Sequence, residues 1–124
     1  MKGRIISFAY TTPALLAGRK TRTRRLWDDD YARSFHEGDI CQAWDRSPRI
    51  KGAKRVAMIS LTTNPKKQHI SKMPDEDYEK EGFAYLAEKH LTIFGDSPDK
   101  AFQSWRDKGD KEYWVIDFKL EDEG

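Results

Sequence analysis

A chain of 124 residues has the length of one domain built on one core and leaves no room for a separate cofactor-binding domain. Lysine and arginine number 23 against 21 aspartate and glutamate, a net charge of +2 in a chain that is 35% charged. That balance excludes a broad, sequence-independent grip on duplex DNA and moves the electrostatic question from the sum of the charges to their positions. Hydrophobic residues make up 37% and aromatic residues 12%, enough for a packed core. The single cysteine, Cys41, excludes an internal disulfide framework and a cysteine-based zinc site. No apolar run is long enough to cross a bilayer, and Met1-Lys2-Gly3-Arg4-Ile5 lacks the apolar stretch of a secretory signal, so a cytoplasmic protein with no membrane partner is expected.

In chain order, Ile5 to Tyr10 is β-branched and aromatic and predicts a buried first strand. Thr11 as N-cap and Pro13 in the first turn open a two-turn helix that Gly18 stops. Arg19 to Trp27 alternates in a way that favours an extended segment, and Asp28, Asp29 and Asp30 then sit where a helix through Tyr31 to Phe35 begins, which suits its dipole. Ile40 to Asp45 alternates as a strand, and Arg55 to Thr63 reads as a central strand broken by Asn64-Pro65-Lys66-Lys67. Helices follow from Met73-Pro74 and from Phe83 to His90, with Gly82 between them. A further helix is capped by Ser97 with Pro98 at its first position, carries Ala101, Phe102 and Trp105 on one side, and stops at Gly109. From Tyr113 to Leu120 the even positions Trp114, Ile116, Phe118 and Leu120 are apolar, predicting a strand with one core face and one wet face. With no repeated strand-helix-strand rhythm, this order predicts a single α+β domain over residues 1–124, a mainly antiparallel curved sheet or small barrel with helices at its periphery.

The most unusual composition is Gly18-Arg19-Lys20-Thr21-Arg22-Thr23-Arg24-Arg25, in which five of the seven residues after the glycine are cationic. In a cleft such a field attracts a phosphate or another anion; on an edge strand the same run is a solvated guard against aggregation or pairs with Asp28 to Asp30. A lysine crowded by arginines has its charged form disfavoured, which suits Lys20 to general-base work near neutral pH, with Thr23 as nucleophile or positioning partner. Positions 20 and 23 have opposite parity and face opposite sides of a regular strand. Both reach one substrate only if Lys20 lies in the loop before the strand or the segment is bulged.

The stretch from Ala17 to Arg25 resembles the glycine-x-lysine-threonine-x-threonine-x-arginine signature of the ASCH domain, a small β-barrel similar to the PUA fold. His36-Glu37-Gly38-Asp39 before a strand, Glu81-Gly82-Phe83 at a helix end and the closing strand Tyr113 to Phe118 follow in the family's order. Among ASCH proteins, the bacterial 4-acetylcytidine amidohydrolases are similar in size and cleave the amide on the exocyclic nitrogen of the nucleoside. The resemblance implies Lys20 as base, Thr23 as nucleophile and Glu81 as orienting acid/base. It further implies that Arg25 holds a phosphate or carbonyl oxygen, unless it only pairs with an aspartate. Other members resemble RNA-binding modules or ribonucleases, so the expectation is a protein acting on RNA or a modified nucleoside: a deacetylating hydrolase, with a non-catalytic RNA binder or a ribonuclease as alternatives. The acidic run Asp28 to Asp30 and the longer aromatic C-terminal part depart from the amidohydrolases.

Ligand contacts are expected from Arg19, Arg22 and Arg25 in the basic stretch, and from Trp27 if it stacks on a base. Trp44 stands open between a stacking and a core role, whereas Trp105 and Trp114 sit on apolar faces and read as core. His36, His69 and His90 lack metal-ligand spacing, so no metal and no cofactor are expected, and a monomer is the expected state. Beyond the cationic stretch, Lys66-Lys67 and the turn Lys51 to Arg55 are further basic segments, and acids gather at Asp28 to Asp30, Asp75 to Asp77 and Glu121-Asp122-Glu123.

Overall fold

The computed structural model describes residues 4–121. The N-terminal residues 1–3 and most of the acidic tail, residues 122–124, lie outside the described residues. Among the described residues, six strands and five α-helices occur in the order β1 (Ile5–Ser7), α1 (Thr12–Leu16), β2 (Arg22–Arg25), α2 (Asp29–Arg33), β3 (Ile40–Trp44), β4 (Arg55–Leu61), β5 (Lys66–His69), α3 (Asp77–Lys80), α4 (Phe83–Glu88), α5 (Pro98–Arg106) and β6 (Glu112–Leu120). A 3-10 turn, Ile70–Lys72, follows β5. The fold is α+β with peripheral helices around a mixed sheet.

The sheet runs β1-β3-β4-β6-β2, with β5 also on β6. β1 and β3 are parallel, from Ile5 opposite Gln42 to Ser7 opposite Trp44, and the other pairings are antiparallel. β6 organises the rest. Its first half pairs with β2 on one side, Arg22 opposite Asp117 and Arg25 opposite Trp114, and with β5 on the other. Its last residues, Phe118 to Leu120, pair with β4. Among the described residues the ladder does not return from β2 to β1, so the expected barrel is an open sheet. The seam is bridged by a side chain instead, the Arg25 guanidinium donating from Nη2 to the Ser7 carbonyl.

Two hydrophobic clusters lie on opposite sides of β6. Trp114, Ile116 and Phe118 join Ile6, Phe8 and Ile59 in the larger one. Tyr113 joins Ile70, Met73, Phe83 and Phe102 in the smaller one, beneath α3 to α5. The wet face expected for β6 is therefore only partly wet: Tyr113 and Val115 are buried because the helices cover them, whereas Lys119 is exposed. The predicted cap of α5 is in place, the Ser97 hydroxyl accepting from the Lys100 amide at 3.2 Å. At α1 the Thr11 side chain makes no cap; the Thr12 hydroxyl donates instead to the Phe8 carbonyl at 2.7 Å. The extended segment expected from Arg19 to Trp27 forms a strand only over Arg22–Arg25. Its start is bent by the turn at Gly18, where the Ala14 carbonyl accepts from both the Arg19 and Lys20 amides.

Two close approaches fasten the helical layer to the sheet. The Thr21 amide donates to the Lys80 carbonyl at 2.9 Å, and the next two residues, Glu81 and Gly82, bury themselves against α1 and Lys20. Gly82 has φ +96°, and a Cβ there would lie 2.7 Å from the Ala14 Cβ and 3.3 Å from that of Lys20. Both the backbone conformation and the contact demand glycine. Gly82→Ala is expected to destabilise the fold by about 2 kcal/mol or more in urea unfolding.

Candidate active site

Lys20 lies in the loop before β2, one of the two arrangements that let it share a site with Thr23. Its Nζ donates to the Glu81 carbonyl at 2.7 Å and to Glu81 Oε1 at 3.1 Å. The carbonyl is one that the short helix α3 leaves unpaired at its end, so the ammonium both closes the helix and meets the side chain of the same residue. The other carboxylate oxygen of Glu81 accepts from Arg24 Nη1 at 2.6 Å. Arg24 Nη2 reaches Asp77 Oδ2 and Gln68 Oε1, each at 2.6 Å. Lys20, Arg24, Asp77 and Glu81 are all buried.

Parity assigns the rest of β2. Arg22 and Arg24 point to the helical side, where both engage Asp77, and Arg22 also grips Asp117 through Nε at 2.6 Å. Thr23 and Arg25 point the other way, and Arg25 Nη1 donates to Thr23 Oγ1 at 2.6 Å. Arg25 and Lys20 stand near the same buried ring, Phe8, at 5.2 and 6.0 Å from its centroid.

Desolvation moves both of these cations. Burial, partly opposed by the Glu81 carboxylate and reinforced by the charge of Arg25, pushes the Lys20 ammonium down to about 8. Burial likewise lowers Arg25 to about 10. Arg19 and Arg22 go the other way, raised by carboxylate hydrogen bonds from Glu79 and from Asp117 respectively. The inner set holds four cations, Lys20, Arg22, Arg24 and Arg25, against three carboxylates, Asp77, Glu81 and Asp117. Lys20 is the member whose deprotonation equalises the count.

A cleft of about 420 Å³ opens onto this group. Lys20, Thr23, Arg24, Arg25 and Glu81 form its polar floor, and Phe83, Ala101 and Trp105 from α4 and α5 form one wall. Tyr10 and Phe94 stand at its mouth. The catalytic residues expected from the resemblance, Lys20, Thr23 and Glu81, thus line one cavity, and so does Arg25.

Arg19, Arg22 and Trp27, expected as ligand contacts, are not among the residues lining it. Arg19 turns outward to a double ion pair with Glu79 and Glu88, 2.8 and 2.7 Å. Arg22 is held by Asp77 and Asp117. Trp27 stacks on Phe35 at 4.7 Å and meets Tyr31 edge-on. Trp44 donates through Nε1 to Gln42, and Trp105, expected in the core, packs on Phe83 and Tyr113 while also lining the cleft. Sequence reasoning missed Arg24, Asp77, Gln68, Tyr10 and Phe94. The parity of Arg24 with Arg22 was the one signal available, and the acid that both share lies more than fifty residues away. Among the described residues, no group of three or more His, Cys, Asp or Glu side chains is placed to hold a metal ion.

No protein-family model matches this chain, and no curated protein does. Among solved structures, the chain is similar to the crystal structure of EF3133, a DUF984 protein of Enterococcus faecalis, with a TM-score of 0.55 and 17% identity over 97% of this chain and 78% of that one. At that identity the likeness speaks for the fold alone. No described helix is long and apolar enough to cross a membrane.

Arg24 pairs with two carboxylates that are themselves out of water, so its removal leaves Asp77 to Arg22 alone and Glu81 to Lys20 alone, each with an oxygen one donor short. Arg24→Met is expected to cost about 3–5 kcal/mol in denaturant unfolding. Arg19→Met, whose partners are exposed, should shift the same midpoint far less.

Proposed function

We propose that the protein is an ASCH-type, PUA-like hydrolase that removes an acyl group from an amide nitrogen, with 4-acetylcytidine as the first substrate to test. The observation that carries the reading is the contact of Lys20 with Glu81 on the floor of an open cleft, where burial holds the amine at about 8. A buried lysine in a purely structural ion pair has no need of a cavity beside it.

In this reading about one Lys20 in ten is neutral at pH 7. The neutral amine takes the hydroxyl proton of Thr23 as Thr23 Oγ1 bonds to the acyl carbon. Arg25, already a donor to that oxygen, and the other cations of the floor stabilise the negative charge that moves to the carbonyl oxygen. The Lys20 ammonium, held by Glu81, then returns its proton to the leaving nitrogen as the carbon–nitrogen bond breaks. Water, deprotonated by the same amine, attacks the threonine ester, and the Lys20 ammonium returns that proton to Thr23 Oγ1 as the ester bond breaks and the acid leaves.

Incubation with 4-acetylcytidine should release cytidine and acetate. Thr23→Val should lower kcat at least about a hundredfold while Thr23→Ser retains activity. Full activity in a folded Lys20→Met variant sinks the mechanism. Because only the neutral amine can accept the proton, and its population grows as pH rises toward the amine's value, kcat/KM is expected to climb about tenfold per pH unit below 7.5 and to level off above about 8. A rate that falls between pH 6 and 8 would contradict this role for Lys20.

A further inference from the structure

The mouth of the cleft carries an aromatic side chain in a position that costs the fold and that folding does not use. Phe94 and Gly95 form a two-residue turn between α4 and α5, closed by reciprocal backbone hydrogen bonds of 2.9 Å between Ile93 and Asp96. Both central residues have positive φ, +50° and +83°. That class of turn prefers glycine, asparagine or aspartate, which tolerate the left-handed region without steric cost. A phenylalanine there is strained, and its ring is 81% exposed, so burial does not offset the strain. The ring leans on Tyr10, itself exposed, with centroids 4.6 Å apart and planes tilted by 55°. Both rings line the same cleft as Lys20 and Glu81.

The geometry points to Phe94 and Tyr10 as the platform on which a planar heterocycle of the ligand stacks. An aromatic face favours another planar π-system over an aliphatic chain of similar size. Asp96 and Ser104 line the same cleft and supply hydrogen-bonding groups for ring heteroatoms. Tyr10, from the segment before α1, meets Phe94, from a turn more than eighty residues later, and both line the cleft that the polar floor lines. The inference rests on the deacylation reading for the bond that is cut, and on the mouth alone for the ring.

The test is Phe94→Asn, which suits the turn and removes the ring, with Phe94→Tyr as the conservative control and Tyr10→Leu as an independent removal. Calorimetric titration of the full chain with cytidine and with adenosine, neither of which carries an amide to cut, reads ring binding directly. Phe94→Asn and Tyr10→Leu should each weaken the affinity about tenfold or more. Phe94→Tyr should keep it, and the thermal midpoint of Phe94→Asn should not fall. Unchanged affinity in Phe94→Asn, or no binding of either nucleoside by the unsubstituted protein, overturns the inference. Binding that depends on Phe94 with no turnover of 4-acetylcytidine upholds the platform and removes the deacylase. Turnover with the same KM in Phe94→Asn removes the platform and leaves the deacylase.

Discussion

Glu81 is a buried carboxylate held between two cations. One oxygen belongs to Lys20 and the other to Arg24, and the carbonyl of the same residue takes a second bond from Lys20. Through it the loop before β2, the strand β2 itself and the end of α3 become one unit. The sheet and the helical layer are held in register by charge as much as by apolar packing. Taking such ions out of water costs several kcal/mol each, and the arrangement is tolerable because nearly every donor is matched. Among the described buried side-chain atoms, Arg24 Nε alone has no hydrogen-bond partner. The glycine after Glu81 completes the device. With φ +96° and α1 within contact of its Cα, it lets the carboxylate come close enough to Lys20 to be shared.

The same arrangement that stabilises the junction leaves Lys20 as its most readily deprotonated cation. Arg22 and Arg24 fill the needs of Asp77 and, in part, those of Asp117 and Glu81. Lys20 is left sharing a carboxylate with an arginine whose charge is far harder to remove. In a buried cluster with one cation more than it has carboxylates, the proton leaves the cation that holds it most loosely, and the Lys20 amine beside the cleft is that group. Burial lowers the amine and Glu81 partly restores it, so a substitution of Glu81 moves both the stability of the pair and the basicity of the amine.

The site was legible where its logic is local. The opposite parity of residues 20 and 23 allows them one site only if Lys20 precedes the strand or the segment is bulged, and Lys20 precedes it. The Ser97 cap and the even-numbered apolar residues of β6 are equally local signals. What was illegible depends on partners far along the chain. β5 is a strand of Lys66, Lys67, Gln68 and His69 that follows a proline, with no apolar alternation; pairing with β6 makes it a strand. The second face of β6 is dry because helices contributed by other segments cover it. Arg19 and Arg22 looked like Arg25 in sequence, and only the positions of Glu79, Glu88 and Asp117 separate the outward cations from the inward ones. Trp27 has a neighbour at Phe35 that a chain-order reading cannot bring to it.

The missing rung between β2 and β1 explains where the cleft can be. A sheet closed by a continuous ladder would satisfy the Ser7 carbonyl with a backbone amide and put main chain where the cleft floor now lies. Left open, the seam exposes an acceptor that needs a donor, and the Arg25 guanidinium supplies it while also donating to the Arg24 carbonyl and to Thr23 Oγ1. Three fixed acceptors leave the guanidinium little freedom, so the Thr23 hydroxyl is held by a group whose position is dictated by both sheet edges. Thr23 itself is fixed from behind by its register opposite Ile116 on β6. The threonine is thus oriented by the structural seam and the lysine by the helix end, two independent constraints that meet in one cavity.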